Sequence, residues 1–385
     1  MGGRALFSTQ STAPGTRHFE SMSSIKDVAR EAGVSTATVS HVINNTRFVS
    51  DVVRARVLGA VERCGYYPNA HARSLASGRS QTLGLVVSDI SNPFFPELIK
   101  SIEAAAFERG YDLVLSNTNY DPDRTSHYVR RFIERKVAGV VVMTSELDRA
   151  LLGELASRDV SVVFLDLGKP GMHMSNLSVN YESGIEEAIG HLVALGHREI
   201  AFVSGPESLR SAARRLEAFR NSMRRHLPRA RARFYRGDFK LDGGRRAAAE
   251  MLAAGERPTA VLAANDLMAL GVMAELRAAG LQIPRDVSVI GFDDIAFAAS
   301  AEPPLTTVCL PRVELGSRAV EALMTNIEHP ERRGLQVNIP TYLITRASTA
   351  AAVSSARARP SRTAGGAKRS RPDARDVKRG RDRVS

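Results

Sequence analysis

Two hydrophobic rhythms divide this 385-residue chain. Between Ser23 and about Gly65 apolar positions follow a helical period in short, compact pieces. Ile25, Val28 and Ala29 form one stripe, and Val39, Val42 and Ile43 form a second. From about Gln81 the rhythm changes to strand-length apolar runs separated by amphipathic helices. “TLGLVVSDI” (82–90), “DLVLSNT” (112–118), “VAGVVVMT” (137–144) and “VSVVFLDL” (160–167) make one series, with helices at 95–109, 123–136 and 149–157. After a helix at 181–195, “EIAFVSG” (199–205), “ARFYRGD” (232–238), “TAVLAAN” (259–265) and “VSVIGFDD” (287–294) make another, with helices at 208–225, 241–254 and 267–279. Continuous Val/Ile/Leu strands alternating with helices predict parallel sheets covered on both faces. Two such series predict two doubly wound subdomains.

“PLTTVCLP” (304–311), a helix at 312–327 and “QVNIPTYLIT” (336–345) are too few for a third domain and are expected to return to the earlier sheets. The expected organisation is a small all-α domain at 23–66, a linker at 67–80 and an α/β domain at 81–348. Within the last, one subdomain takes 81–180 plus 312–335 and the other 181–310 plus 336–348. Residues 1–22 lack periodicity and are expected to be disordered or to precede the true start; 349–385 read as a disordered basic tail.

Charge sharpens this picture. The net charge is +12, but residues 350–385 hold eleven Lys/Arg against three Asp, so most of the excess lies in the tail. Basicity alone is therefore weak support for nucleic-acid binding by the folded part. No apolar run reaches the roughly 18–20 residues of a membrane span. The two cysteines, Cys64 and Cys309, lack metal-ligand spacing and read as reduced thiols in a cytoplasmic protein. No metal or cofactor is expected.

The opening stretch “SSIKDVAREAGVSTATVSHVIN” (23–44) carries the first candidate chemistry. Ser24 caps a helix, with Asp27 as the capping-box acid. Gly33 supplies the turn, Val34 plugs it, and Ser35 caps a second helix. The outer face of that helix is Thr36, Ala37, Thr38, Ser40 and His41, all small or uncharged. A helix-turn-helix of this kind lays its second helix in a major groove, where short side chains permit close approach. By pattern alone, a surface hairpin capping the larger domain remains an alternative.

Together with “YYPNAHARSLASGRSQTLGLVVSDISNPFF” (66–95), this stretch resembles the lac repressor family of bacterial transcription regulators, from Ser23 to about Thr345. Its DNA-reading half is nearest the purine repressor branch. The resemblance implies that Thr36, Ala37 and His41 face base edges and that Ser35, Thr38 and Ser40 mostly contact phosphates. Arg47 reaches a base or the backbone. Many members carry Arg at the His41 position, and His cannot make that residue's bidentate pairing with guanine. In “PNAHARSLASGRS” (68–80), Leu75 matches a leucine that wedges into the minor groove, with Ala72 allowing close approach. Ala76 stands where the purine branch has a lysine.

The resemblance extends the α/β domain to a periplasmic-binding-protein-like fold, whose ligands sit at the carboxyl ends of the strands. Arg215, Asn265 and Asp293 are then the polar effector contacts, with Asp89 and Ser211 beside them. Phe94, Phe95 and Phe239 are the stacking walls. Leu209 stands where the purine branch has an Arg that reads the purine, so the effector stays open among sugars, sugar acids and purine-like compounds. The implied protein is a homodimer, with a tetramer possible, that binds double-stranded operator DNA under effector control, most simply as a repressor.

Other classes fit less well. A nucleotide-dependent enzyme would carry a glycine fingerprint after its first strand, which here is followed by “SDISNPFF”. No nucleophile–base pairing is apparent, and His41, His127, His173, His191 and His197 read as surface positions. A secreted binding protein would have no use for residues 23–80.

Overall fold

A computed structural model describes residues 23–67, 80–144 and 149–352. The expected linker contacts Ala72 and Leu75 lie outside the described residues. The leading domain is three helices, α1 (Ile25–Ala32), α2 (Thr36–Asn44) and α3 (Asp51–Cys64). Ser24 N donates to Asp27 Oδ2 at 2.9 Å and its hydroxyl to the same oxygen at 2.6 Å, which holds the Asp27 carboxyl below its usual range. Gly33 closes α1 at φ 62°, a conformation that a Cβ resists. Val28, Ala32, Val39, Val42, Val57 and Ala60 meet in a core of their own.

The α/β domain begins with β1 (Thr82–Val87), α4 (Phe94–Phe107), β2 (Asp112–Asn117) and α5 (Pro122–Glu134). It continues through β3 (Gly139–Met143), α6 (Arg149–Ser157), β4 (Val162–Leu165) and β5 (Met174–Asn180). The second half runs α7 (Tyr181–Ala194), β6 (Ile200–Ser204), α8 (Arg210–His226), β7 (Arg233–Arg236) and α9 (Leu241–Ala253). Then come β8 (Ala260–Ala263), α10 (Asp266–Ala278), β9 (Ser288–Asp293), α11 (Ala296–Ser300) and β10 (Thr306–Cys309). The chain closes with α12 (Arg312–Glu328), β11 (Gln336–Pro340) and β12 (Tyr342–Ile344).

Two six-stranded sheets result, ordered β11-β5-β4-β3-β1-β2 and β12-β10-β9-β8-β6-β7. All pairings are parallel except β12 against β10. The order departs from chain order at β1 and at β6, the switch points beside which such sheets bind ligands.

Four expectations need correction. Strand β5 was not foreseen, because “MSNLSVN” reads as polar. Its buried Ser175 donates to Asn326 Oδ1 at 2.8 Å, and Asn176 Oδ1 accepts from Leu167 N at 3.1 Å. Those pairings make a polar interior strand tolerable. Residues 336–340 belong to the first sheet, not the second, because β5 offers them an edge. The chain returns to the second sheet only at Thr341, whose hydroxyl donates to Asn180 O at 2.6 Å and accepts from Gly184 N at 3.0 Å.

Residues 349–352, expected to belong to a disordered tail, are packed against the second subdomain. Thr349 Oγ1 lies 3.0 Å from His191 Nε2, Ala350 O lies 2.9 Å from His197 Nε2, and Ala352 N donates to Leu195 O at 2.8 Å. His197 is thus buried rather than superficial, and burial lowers its affinity for a proton. Among the described residues, no helix is long and apolar enough to cross a membrane.

Candidate functional site

Two candidate surfaces emerge, one on each domain. On α2 the apolar side is spent on the three-helix core, so the remaining side faces outward. Ser35, Thr36, Ala37 and Arg47 are exposed; Thr38, Ser40 and His41 are half-buried. Ser35 Oγ accepts from Thr38 N at 3.1 Å and lies 2.9 Å from Thr38 Oγ1. Two of the three hydroxyls assigned to phosphate contact, those of Ser35 and Thr38, therefore also serve the helix cap. Asn44 Nδ2 donates to Ser40 Oγ at 3.2 Å. The sequence reading missed Phe48, which follows Arg47 and is 95% exposed. A bare aromatic in a polar loop is the signal that could have found it.

The second surface is a cavity between the two sheets, at the carboxyl ends of their strands. Of the expected effector residues, Phe94, Phe95, Ser211, Arg215, Phe239, Asn265 and Asp293 line it. Phe94 and Phe95 open α4 and meet edge to face, with centroids 5.3 Å apart. Ser211 and Arg215 share one face of α8 at i and i+4. Phe239 takes a left-handed backbone (φ 65°), and its ring lies where a Cβ on Gly205 would come within 2.4 Å. Gly205 therefore makes room for this wall.

Arg215 is the centre of the cavity's electrostatics. Its NH2 donates to Asp293 Oδ1 at 3.0 Å and its NH1 to Ala264 O at 2.5 Å. The guanidinium carbon lies 4.1 Å from the Phe292 ring centroid and 5.6 Å from that of Phe239. Its buried Nε has no hydrogen-bond partner within the protein. Burial pushes the Asp293 carboxyl up to about 6, although Arg215 and Arg312 pull it down. Asn265 is partly committed: its Oδ1 accepts from Met268 N at 3.0 Å, capping α10, and its Nδ2 donates to Phe239 O at 2.9 Å.

Asp89 does not line the cavity. Its Oδ1 turns back to accept from Ser91 N at 2.9 Å and Ser91 Oγ at 2.7 Å. Leu209 is buried in the second subdomain's core and likewise does not line the cavity.

Among the lining residues that the sequence reading missed are Tyr120, Asp166 and Tyr181. Tyr120 and Asp166 follow the carboxyl ends of β2 and β4, so the strand-end rule applied to every strand would have found both. Asp166 Oδ2 accepts from Tyr181 OH at 2.8 Å, and its Oδ1 accepts from Val179 N at 2.9 Å and Arg214 NH1 at 2.6 Å. Burial raises the Asp166 carboxyl against the pull of Arg214. This pair joins the first subdomain to α8 of the second. Nearby, Arg312 links the subdomains again: its NH1 donates to Asp293 O at 2.5 Å and its Nε meets Glu97 Oε2 at 2.8 Å. Among the described residues, no cluster of three or more His, Cys, Asp or Glu is placed to hold a metal.

Comparison with known proteins finds matches in both domains. Residues 24–69 match the model for bacterial regulatory proteins of the lacI family, and 189–349 match a periplasmic binding protein-like domain. The chain is 40% identical over 312 residues to the HTH-type transcriptional repressor PurR of Vibrio cholerae serotype O1, covering 80% of this chain and 93% of that one. It is 37% identical over 332 residues to the ribose operon repressor of Escherichia coli K12, covering 85% and 100%. Among solved structures, the lac repressor dimer bound to operator and the anti-inducer ONPF superposes with a TM-score of 0.77 at 30% identity, covering 86% of this chain and 100% of that one.

Proposed function

Because the chain belongs to the lacI family of bacterial regulatory proteins, we propose that it is a cytoplasmic, non-enzymatic transcription regulator, most simply a repressor. It binds a palindromic operator as a homodimer and answers to a small polar effector. The observation that carries this reading is the union, on one chain, of an outward helix face of Thr36, Ala37 and His41 with a cavity centred on the buried Arg215–Asp293 pair.

Each part has a physical role in the reading. Thr36, Ala37 and His41 meet base edges, Arg47 and the cap hydroxyls of Ser35 and Thr38 approach phosphates, and Ser40 stands beside them. Phe48 offers an apolar contact for thymine methyls. In the linker, Leu75 is the minor-groove wedge and Ala72 its close neighbour. In the cavity, the Asp293 carboxylate accepts and the Arg215 guanidinium donates, a pairing that suits adjacent hydroxyls on a ring. Phe94, Phe95 and Phe239 cover the ring's faces, while Ser211 and Asn265 offer further polar contacts.

The effector class that fits best is a sugar or sugar acid. A purine is the second reading, favoured by the identity to PurR and opposed by Leu209. Because the walls come from both subdomains, an occupant biases how they sit against each other. That bias reaches DNA through residues 67–80 by differential affinity for two arrangements.

The test is selection of DNA from a randomised library by the full chain and by a chain lacking residues 1–80. The full chain should enrich a palindrome and the shortened chain should not. Equal enrichment by both would refute the reading. A thermal-shift screen with sugars, sugar acids and purines then separates the effector classes.

A further inference from the structure

His41 is not left to itself on the reading helix. Asn45 ends α2 in the left-handed region (φ 50°), where Asn is better tolerated than most residues, and its N–H bonds His41 O. Arg54 NH2 donates to Asn45 Oδ1 at 3.0 Å and so ties this corner to α3. The turn brings Thr46 back over the helix end, with its N–H donating to His41 O at 3.3 Å. Thr46 Oγ1 then lies 2.8 Å from His41 Nδ1.

We propose that Thr46 is a positioning residue that orients the His41 imidazole and thereby sets the base preference at one position of each operator half-site. This rests on the reading of α2 as the DNA-contacting helix.

The reasoning follows from what an imidazole can do. An untethered ring rotates about two side-chain bonds and exchanges its proton between nitrogens. A hydrogen bond at Nδ1 fixes the ring plane and links the tautomer to the hydroxyl's role. Nε2 is then the nitrogen left to meet a base. It forms one hydrogen bond, as donor or as acceptor, and the major-groove edge of each base pair presents these groups in a distinct pattern. Discrimination at that position therefore depends on where Nε2 points and on which role it holds. Both are set by a threonine that does not itself touch the base. Thr46 is exposed, so its role is separable from the fold of the three-helix core.

Thr46→Val keeps the shape and removes the hydroxyl. In selection and affinity measurements with the full-length protein, one base-pair position per half-site should lose about tenfold of its preference, at the lower end of what one good base contact supplies. Affinity for random DNA and the thermal midpoint should stay unchanged. Thr46→Ser should restore the preference. His41→Ala should lose the same preference, and adding Thr46→Val to it should cost nothing more, because both changes break one contact.

An even loss across all sequences, or losses that add, would overturn the proposal. So would a preference that Thr46→Val leaves intact, while the DNA-binding reading survived. A wild-type protein with no sequence preference would overturn both.

Discussion

The two candidate surfaces are built on opposite terms. On α2, Thr36 and Ala37 are short, exposed side chains at the rim of a small core and take no part in its packing. The cavity is lined by groups that also hold the domain together. Arg215 and Asp293 are buried against each other, and Asp166 ties β4 to Tyr181 and Arg214. Chemistry displayed on a surface can change with little structural cost, whereas chemistry enclosed in a core cannot.

The sharpest way to break this contrast is Asp293→Ala. It strands the Arg215 cation in a closed, aromatic-walled site and should lower unfolding free energy by about 3–5 kcal/mol in a denaturant titration. A loss no larger than that of a surface substitution would mean that the pair is not structural.

pH supplies the next test. The folded protein holds a proton on Asp293 up to about 6, above the ordinary carboxylate value of 3.8. The folded state therefore binds that proton more tightly than the unfolded chain does. Its stabilising contribution is complete below about 4 and fades as pH rises through 6, by roughly 1–3 kcal/mol in all. Asp166 and Asp266 are raised in the same direction, chiefly by burial, and act with the same sign. Asp293→Asn should flatten the wild-type slope between pH 4 and 6; an unchanged slope would assign it to other groups.

On the opposite side of the comparison, Thr36→Ala should cost about 1–3 kcal/mol of discrimination between operator and a single-base mismatch. Its unfolding free energy should move by less than about 0.5 kcal/mol. A large stability loss would show that the reading face is not separable from its core.

The smallest effect belongs to Arg214→Ala. Its side chain is 43% exposed, so solvent screens the Asp166 contact, and its loss should cost no more than about 1 kcal/mol. Closure of the cavity on a ligand should nevertheless weaken, measurable as a lower affinity by calorimetry.

How far the sequence could be read follows from the same contrast. The outward face of α2 was legible because it rests on local spacing: Ser24 with Asp27, Gly33 in the turn, Ser35 at the cap. The cavity was legible where a strand end carries an unusual residue, as at Phe239, Asn265 and Asp293. It was illegible where long-range pairing decides. Asp89 sits at a strand end, yet its carboxylate turns back to Ser91. Tyr181 joins the wall through long-range partners, its hydroxyl held by Asp166, fifteen residues earlier, and its ring beside Phe292. Strand β5 looked like a loop because its satisfaction comes from Asn326, 151 residues away from Ser175. His197 looked like a surface group because residues 349–352, which cover it, were read as tail.

The central claim is that occupancy of the cavity governs the affinity of α2 for DNA. The direct measurement is operator affinity of the full-length protein with and without a saturating ligand found by thermal shift, repeated on Arg215→Ala. The account predicts a change of at least about fivefold for the wild-type protein, the low end of ordinary allosteric coupling, and none for the variant. An operator affinity that is the same with and without bound ligand in the wild-type protein would contradict it.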